Sequence, residues 1–380
     1  MEKLKFPNGF YWGTATSAYQ VEGGIRNNWS EAGKKYDAGK ACDHYNRFEE
    51  DFDLAKAMNN NAHRFSIEWA RIEPEEGRFN QKEIEHYRRV ILSLKERNLE
   101  PFVTLYHWTL PVWFIKKGHW LNPKAPKYFE RFVERIVGEY KDLVKFWITI
   151  NEPNVYVSHS FLKGDWPPFK KNWFTARKVL KQLSRAHKRA YQTIHRVSSF
   201  AEVGIAKNNI YYKGILKLIV NNSWNHKFLK TIKESLDFIG LNYYFSHSLK
   251  SIIFSKQLSK NHSDVSDMGW EIYPKGIYYV LKDLKTYNKP IYITENGLAD
   301  AKDEKRASFI INHLKWVHRA IKEGVDVRGY FHWSLLDNFE WDKGFEPRFG
   351  LIEVDYKTQK RIPRPSSKVY AKICKENSIE

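Results

Sequence analysis

The sequence predicts a single (β/α)8 barrel of the TIM type, and three observations predict it. Eight short apolar runs, rich in β-branched and aromatic residues, alternate with longer stretches of helical period. The runs are continuous in their apolar character, as expected of strands buried on both faces of a parallel sheet. No linker rich in Pro, Gly or Ser and no internal repeat divides the chain, so residues 1–380 read as one domain. A doubly wound open sheet is the competing arrangement, but no Gly-x-Gly-x-x-Gly follows the first run.

In order, the predicted strands are Phe10–Thr14, His63–Trp69, Pro101–His107, Phe146–Asn151, Val203–Lys207, Phe238–Tyr244, Ile291–Glu295 and Gly329–Trp333. Amphipathic stretches fall between them at Lys82–Glu96, Pro126–Tyr140, Ala176–His195, Pro274–Thr286 and Glu304–Glu323. In the last of these, Phe309, Ile310, His313, Leu314, Val317 and Ile321 recur at three- and four-residue steps, which puts them on one helical face. Two loops stand out by composition: Ser246–Asp267 is rich in Ser, Lys and His, and Ala299–Arg306 is almost all charged or small. Both follow predicted strands and therefore belong to the C-terminal face of the barrel, where barrel chemistry sits.

Composition narrows the function classes. Lys and Arg number 63 against 44 Asp and Glu, a formal charge of +19, and aromatics make up 16% of the chain. Basic plus aromatic residues suit either nucleic acid or sugar stacking. The basic residues are spread along the amphipathic segments and interleaved with acids, which favours a solvated surface, so no specific nucleic-acid partner is expected. Only two cysteines occur, Cys42 and Cys374, with no second Cys or His at metal-ligand spacing, so neither a disulfide framework nor a metal site is expected. The N-terminal MEKLKFPNGFYWG holds no apolar stretch of signal-peptide length, and no run approaches a membrane span; a cytoplasmic protein with no membrane partner is expected.

The chemistry is written at two strand ends. Run four ends Thr149-Ile150-Asn151-Glu152-Pro153 and run seven ends Ile293-Thr294-Glu295-Asn296-Gly297. Desolvating a carboxylate at a strand exit is costly and needs a reason. Strands four and seven lie across the barrel from one another, so Glu152 and Glu295 can face each other over its mouth. Two carboxyls about 5 to 5.5 Å apart are the apparatus of a retaining glycosidase, one as nucleophile and one as acid/base. Either glutamate alone also reads as an acid at the start of a helix in a βα loop.

With these motifs on the page, the chain resembles glycoside hydrolase family 1, the retaining β-glucosidase and β-galactosidase family. The resemblance runs from Phe6 to the region of Tyr370. It is carried by Phe10-Tyr11-Trp12-Gly13-Thr14 through Tyr19-Gln20-Val21-Glu22-Gly23, by His63-Arg64-Phe65-Ser66-Ile67-Glu68-Trp69, by the two glutamate motifs, and by His332-Trp333-Ser334 through Asn338-Phe339-Glu340-Trp341. The resemblance implies that Glu152 is the acid/base and Glu295 the nucleophile. It further implies that Arg64 and Tyr244 contact the nucleophile and that Asn151 binds the hydroxyl beside the reacting carbon. Tyr243 competes with Tyr244, because a one-residue slip changes the face; Arg64 also reads as a surface ion pair and Asn151 as a turn residue before Pro153. The sugar-binding set implied is Gln20, His107, Asn242, Glu340 and Trp341, with Trp333 as the platform under the ring and Trp270 on the leaving-group side. Trp333 and Trp270 read equally as core residues. Phospho-glycosidases of the family carry serine where Glu340 stands, so the implied substrate is a non-phosphorylated β-glucoside, with β-galactosides and β-fucosides beside it. The implied mechanism needs no cofactor.

The chain departs from the family in one place. Only Asn208 to Asp237 separates predicted strands five and six, and the Gly-x-Tyr-Pro element usual there is missing; an apolar-basic stretch, Ile215-Leu216-Lys217-Leu218-Ile219-Val220, stands instead. A more open mouth is expected. The rival from another class is a non-catalytic sugar-binding barrel, which the joint presence of Glu152, Glu295, Arg64, Asn151 and Tyr244 argues against.

Overall fold

Eight parallel strands close into a barrel in the computed structural model, which describes residues 3–247 and 265–380. The strands are β1 (Tyr11–Ala15), β2 (Ala62–Ser66), β3 (Glu100–Thr104), β4 (Phe146–Asn151), β5 (Glu202–Asn208), β6 (Phe238–Asn242), β7 (Ile291–Asn296) and β8 (Val327–Trp333). They neighbour one another in chain order, and β8 closes on β1 through the pairs Gly329 with Tyr11 and Trp333 with Ala15. All eight predicted strands are present. The second, third and sixth end sooner than expected: β2 stops at Ser66 and Trp69 opens a short helix, Trp69–Ile72, while β3 stops at Thr104 and β6 at Asn242. The reason at β2 is local, since the Glu68 side chain accepts the Ala70 N–H and starts a helical turn.

The connecting helices are α1 (His44–Ala57), α2 (Gln81–Glu96), α3 (Ala125–Tyr140), α4 (Trp173–Val197), α5 (Ile215–Asn221), α6 (Lys227–Ile232), α7 (Pro274–Leu284), α8 (Arg306–Lys322) and α9 (Pro365–Glu376). Side-chain caps fix two of their starts: Asn80 accepts from the N–H groups of Lys82 and Glu83, and Asn172 from that of Thr175. On α8 the predicted stripe is largely inside, with Phe309, Ile310, His313, Leu314 and Val317 buried.

A cluster of aromatic rings fills the barrel. Phe102 and Phe146 stack with ring centroids 4.2 Å apart, and Phe238, Tyr292 and Phe331 pack around them. This plug makes the barrel a packed core and leaves room for ligand only at its mouth. Its fit demands small neighbours: a Cβ at Gly204 on β5 would stand 2.6 Å from the Phe238 ring.

Two outlying regions bear on the face that carries the strand ends. Residues 248–264 of the Ser246–Asp267 loop lie outside the described residues. The Ala299–Arg306 loop is pinned, because the buried Arg306 guanidinium donates to the carbonyls of Asp300 and Arg348 and to the Asp303 carboxylate. Cys42 and Cys374 are both buried and unbridged.

Candidate active site

A cavity of about 480 Å³ opens at the C-terminal ends of the strands, and both Glu152 and Glu295 line it. A larger depression of about 790 Å³, among Lys230, Lys233 and Lys282, contains neither carboxylate; volume alone does not select the site.

Glu295 comes from the penultimate position of β7. Its Oε1 takes a hydrogen bond from the Arg64 guanidinium and its Oε2 takes one of 2.6 Å from the Tyr244 hydroxyl. Arg64 sits in β2 and is fully buried. It also donates to Asn151 Oδ1 at 2.7 Å, Thr104 Oγ1 at 3.1 Å and the Thr294 carbonyl at 3.2 Å. A guanidinium so encased is no surface ion pair; it makes a charge-assisted hydrogen bond to Glu295 from inside the barrel. The slip between the two tyrosines is resolved as well: Tyr243 turns away and donates to the Tyr273 carbonyl at 2.8 Å. Gly297 follows because nothing larger fits, as a Cβ there would meet the Trp333 carbonyl oxygen at 1.7 Å.

Glu152 follows β4 directly, with a left-handed backbone (φ 42°) at the start of the short helix Pro153–Val157. Its N–H donates to the Ala206 carbonyl of β5 at 2.8 Å, and the Asn242 amide donates to its Oε1 at 2.8 Å. Burial first, and the charge of Glu295 second, push its pKa up to about 8; Asn242, Lys207 and Arg64 oppose them. Glu152 is thus built to hold a proton at neutral pH, while Arg64 and Tyr244 grip Glu295.

The other predicted residues fall into two groups. Gln20, His107, Trp270, Trp333, Glu340 and Trp341 line the cavity. Trp270 packs against Tyr244 with centroids 5.5 Å apart and is partly exposed, so it is not a core residue. Trp333 and Trp341 each stack on the His107 ring at 6.0 Å. Glu340 presents an Oε2 without a hydrogen-bond partner, and burial, then the Glu295 charge, raises its pKa to about 8.

Asn151 and Asn242 lie behind the cavity wall, fully buried. Asn151 Oδ1 accepts from Arg64 and from Asn242, and its Nδ2 is 3.1 Å from His107 Nε2. That amide makes Nε2 the acceptor and leaves the proton of the neutral His107 ring on Nδ1. Asn242 was expected to bind substrate. In the structure its amide is spent on Glu152 and Asn151, and its Oδ1 on the Thr294 hydroxyl at 2.6 Å. Residues unremarked in the sequence complete the frame: Thr104 and Thr294, and Trp108, whose indole N–H donates to the Asn151 carbonyl at 2.9 Å. Thr104 ends β3, Thr294 precedes Glu295 on β7 and Trp108 lies four residues past β3, so nearness to a strand's C-terminal end is the one signal that could have found them.

The short segment between β5 and β6 does not leave the strand ends bare. It folds as α5 and α6 and contributes Ile210, Tyr212 and Trp224 to the cavity wall.

A barrel whose C-terminal face sets two glutamates around one cavity, one held by arginine and tyrosine, defines the class: a glycoside hydrolase of the carboxylate-pair type. Comparison with known proteins narrows it. The profile described as glycosyl hydrolase family 1 matches residues 2–215 and 211–379, and the chain belongs to that family. It is 36% identical to β-glucosidase A of Thermotoga maritima, with all of both chains covered. That alignment runs over 448 positions against 380 residues here, so the relative carries segments this chain lacks. It is 30% identical to a β-galactosidase of Pyrococcus woesei, with 98% of each chain covered. Among solved structures, a β-glycosidase from Pyrococcus horikoshii superposes with a TM-score of 0.92 at 41% identity, covering all of this chain and 97% of the other. The β-glucosidase from Thermotoga maritima in complex with deoxynojirimycin superposes at 0.88, with 35% identity over 99% of this chain and all of the other.

Proposed function

We propose that the protein is a retaining, exo-acting β-glycosidase that removes terminal non-phosphorylated β-D-glucosyl groups, with β-galactosyl and β-fucosyl groups as further substrates. The observation that carries the reading is the division of labour between the two glutamates: Glu295 is gripped by Arg64 and Tyr244, while Glu152 sits in a setting that raises its pKa to about 8. In the first step Glu295 attacks the anomeric carbon. The glycosidic bond breaks, and Glu152 gives its proton to the departing oxygen. In the second, Glu152 takes a proton from water as that water attacks the anomeric carbon, releasing the sugar and freeing Glu295.

The remaining residues fit supporting roles in that scheme. Arg64 and Tyr244 hold Glu295 in place and aim it. Asn242 aligns Glu152, and Asn151 links Arg64 to His107, whose Nδ1–H is a donor for a sugar hydroxyl. Gln20 and Glu340 supply further polar contacts, Trp333 offers an indole face to the ring, and Trp341 and Trp270 shape the walls. We read all 380 residues as one catalytic domain. The buried, unbridged Cys42 and Cys374 suit a reducing compartment, and the cytoplasm is our reading of its location. No helix among the described residues is long and apolar enough to cross a membrane.

The test is release of 4-nitrophenol from its β-D-glucoside by the wild type and by Glu295→Gln. Wild-type turnover with an inert, folded Glu295→Gln is expected. Absence of wild-type turnover, or preference for the glucoside 6-phosphate, contradicts the reading.

A further inference from the structure

The long helix α4 departs from the charge pattern expected of the surface. From Trp166 to Ala201 the chain holds nine Lys and Arg and no Asp or Glu, so here the basic residues are not interleaved with acids. Two of the nine are neutralised from α3, where Glu130 pairs with Arg189 at 2.6 Å and Glu134 with Arg196 at 2.9 Å. The other seven have no carboxylate within 4.0 Å among the described residues. Four of them, Lys178, Lys181, Arg185 and Lys188, are exposed and follow Phe174 at steps of four and three residues. That spacing aligns them in one stripe about 21 Å long. A solvated helix face ordinarily mixes signs, and a one-signed basic face is built for anions.

Apolar side chains gather where the stripe begins. Of the ten large hydrophobic side chains exposed among the described residues, seven fall in two segments, and grouping of that kind calls for an occupant. The first segment holds Leu162, Phe169, Trp173 and Phe174, with Trp173 57% exposed and Phe174 77%. The Lys170 N–H donates to the Ser160 carbonyl at 3.0 Å and the Asn172 N–H to that of Phe161 at 2.8 Å. The chain entering α4 is thereby tied alongside the 158–163 turn, whose Lys163 lines the cavity. The second segment is α5, which buries Leu216 with Ile210 and Tyr212 of the cavity wall and turns Ile215, Leu218 and Ile219 outward. Both segments therefore border the cavity mouth.

The side chains that accompany the charge select the anion. A nucleic acid is met by cations and ring faces, and has no use for exposed Leu162, Leu218 and Ile219. A second copy of this chain would bring the same basic stripe to the interface, and like charges oppose that contact. An anionic bilayer suits every part: its phosphates the lysines, its headgroup boundary Trp173, its acyl chains Phe174 and Leu162.

We propose that the α4 edge is a membrane-docking surface. Trp173, Phe174, Leu162 and Phe169 enter the headgroup–acyl boundary of an anionic bilayer, the α4 stripe lies along its phosphates, and the cavity mouth is held beside the lipid. The expectation of no membrane partner came from the lack of a spanning segment, and peripheral docking needs none. The inference stands independently of the glycosidase reading.

The experiment is co-sedimentation of the full chain with vesicles at about 0.1 M salt, where the Debye length is about 10 Å. The vesicles are phosphatidylcholine alone, or phosphatidylcholine with phosphatidylglycerol. The proteins are the wild type, Trp173→Ser/Phe174→Ser and Lys178→Gln/Lys181→Gln/Lys188→Gln, with equal thermal melts showing that the variants fold. Binding to the anionic vesicles alone is expected. Each lysine near such a surface strengthens binding about fivefold, so the triple variant should bind about 100-fold more weakly. The aromatic variant should lose about 10-fold or more. Insertion has its own readout: Cys42 and Cys374 are buried, so an environment-sensitive dye on Phe174→Cys reports that position, and its emission should shift to the blue on anionic vesicles. Absence of binding to anionic vesicles overturns the proposal, and retention on duplex DNA in its place would make the stripe a nucleic-acid surface. Wild-type binding by either folded variant, or binding with no blue shift, also overturns it.

Discussion

Replacing Glu295 by glutamine keeps its shape and removes its charge, and the consequence reaches Glu152. Two causes raise the Glu152 pKa to about 8, burial first and the Glu295 charge second. At the separation of about 5 Å that a retaining pair requires, and an effective dielectric of about 20, two like charges repel by about 3 kcal/mol, or about 2 pKa units. Glu295→Gln also releases Arg64 from its carboxylate partner, which pushes Glu152 the same way. The variant should therefore carry a Glu152 pKa of about 6, still above the ordinary 4.5 because burial is untouched. The assay is a ¹³C NMR titration of protein labelled at the glutamate side-chain carboxyl, with Glu152 identified by the signal missing in Glu152→Gln. An unchanged or higher Glu152 pKa in Glu295→Gln refutes the reasoning, since it would mean the two carboxyls do not sense each other. The result bears on mechanism. Esterification of Glu295 by the sugar discharges it just as glutamine does, so the acid of the first step becomes a competent base for the second.

Tyr244→Phe removes a hydroxyl that donates to a charged carboxylate, a bond worth about 1.5 to 3 kcal/mol, so kcat/KM on an aryl glucoside should fall about 10- to 100-fold with the fold intact. A loss too small to measure would place the tyrosine outside the reaction. Glu152→Ala should slow hydrolysis of an alkyl glucoside far more than glycosylation by a 2,4-dinitrophenyl glucoside, which departs without a proton; equal losses in pre-steady-state rates contradict its role as acid. Glu152 also predicts a stability trend. Its folded pKa of about 8 lies above the unfolded value, so its contribution is full below about 4.5 and is lost as pH rises through 8. Glu152→Gln should gain stability over the wild type across that window, on the order of 4 kcal/mol at pH 8, and a pH-independent difference in denaturant melts contradicts this.

The barrel and its chemistry were legible for different reasons. Strand positions could be read because a strand buried on both faces is a continuous apolar run, and β4 matches its predicted bounds residue for residue. The end of β2 was not legible, because a capping carboxylate at Glu68 turns an apolar continuation into helix. At the site, Glu152 and Glu295 stand out in sequence as carboxylates on apolar strands. Asn242 shows the limit of that reading: its place beside Glu152 depends on β4 and β6 meeting across the barrel mouth, and nothing in the spacing separates a residue that touches sugar from one that holds a catalytic side chain. Lys207 ended a predicted strand and went unremarked, since a lysine at a strand end reads as solvated until burial is known. The surface charge of +19 remains distinct from all of this: the site turns on two glutamates.

The measurement that tests the central claim most directly is the anomeric configuration of the first-formed sugar. Proton NMR during rapid hydrolysis of an aryl β-D-glucoside should show the β-anomer appearing first, with the α-anomer growing in only by mutarotation. The α-anomer as first product would mean a single displacement, and would contradict the assignment of Glu295 as nucleophile and Glu152 as acid/base.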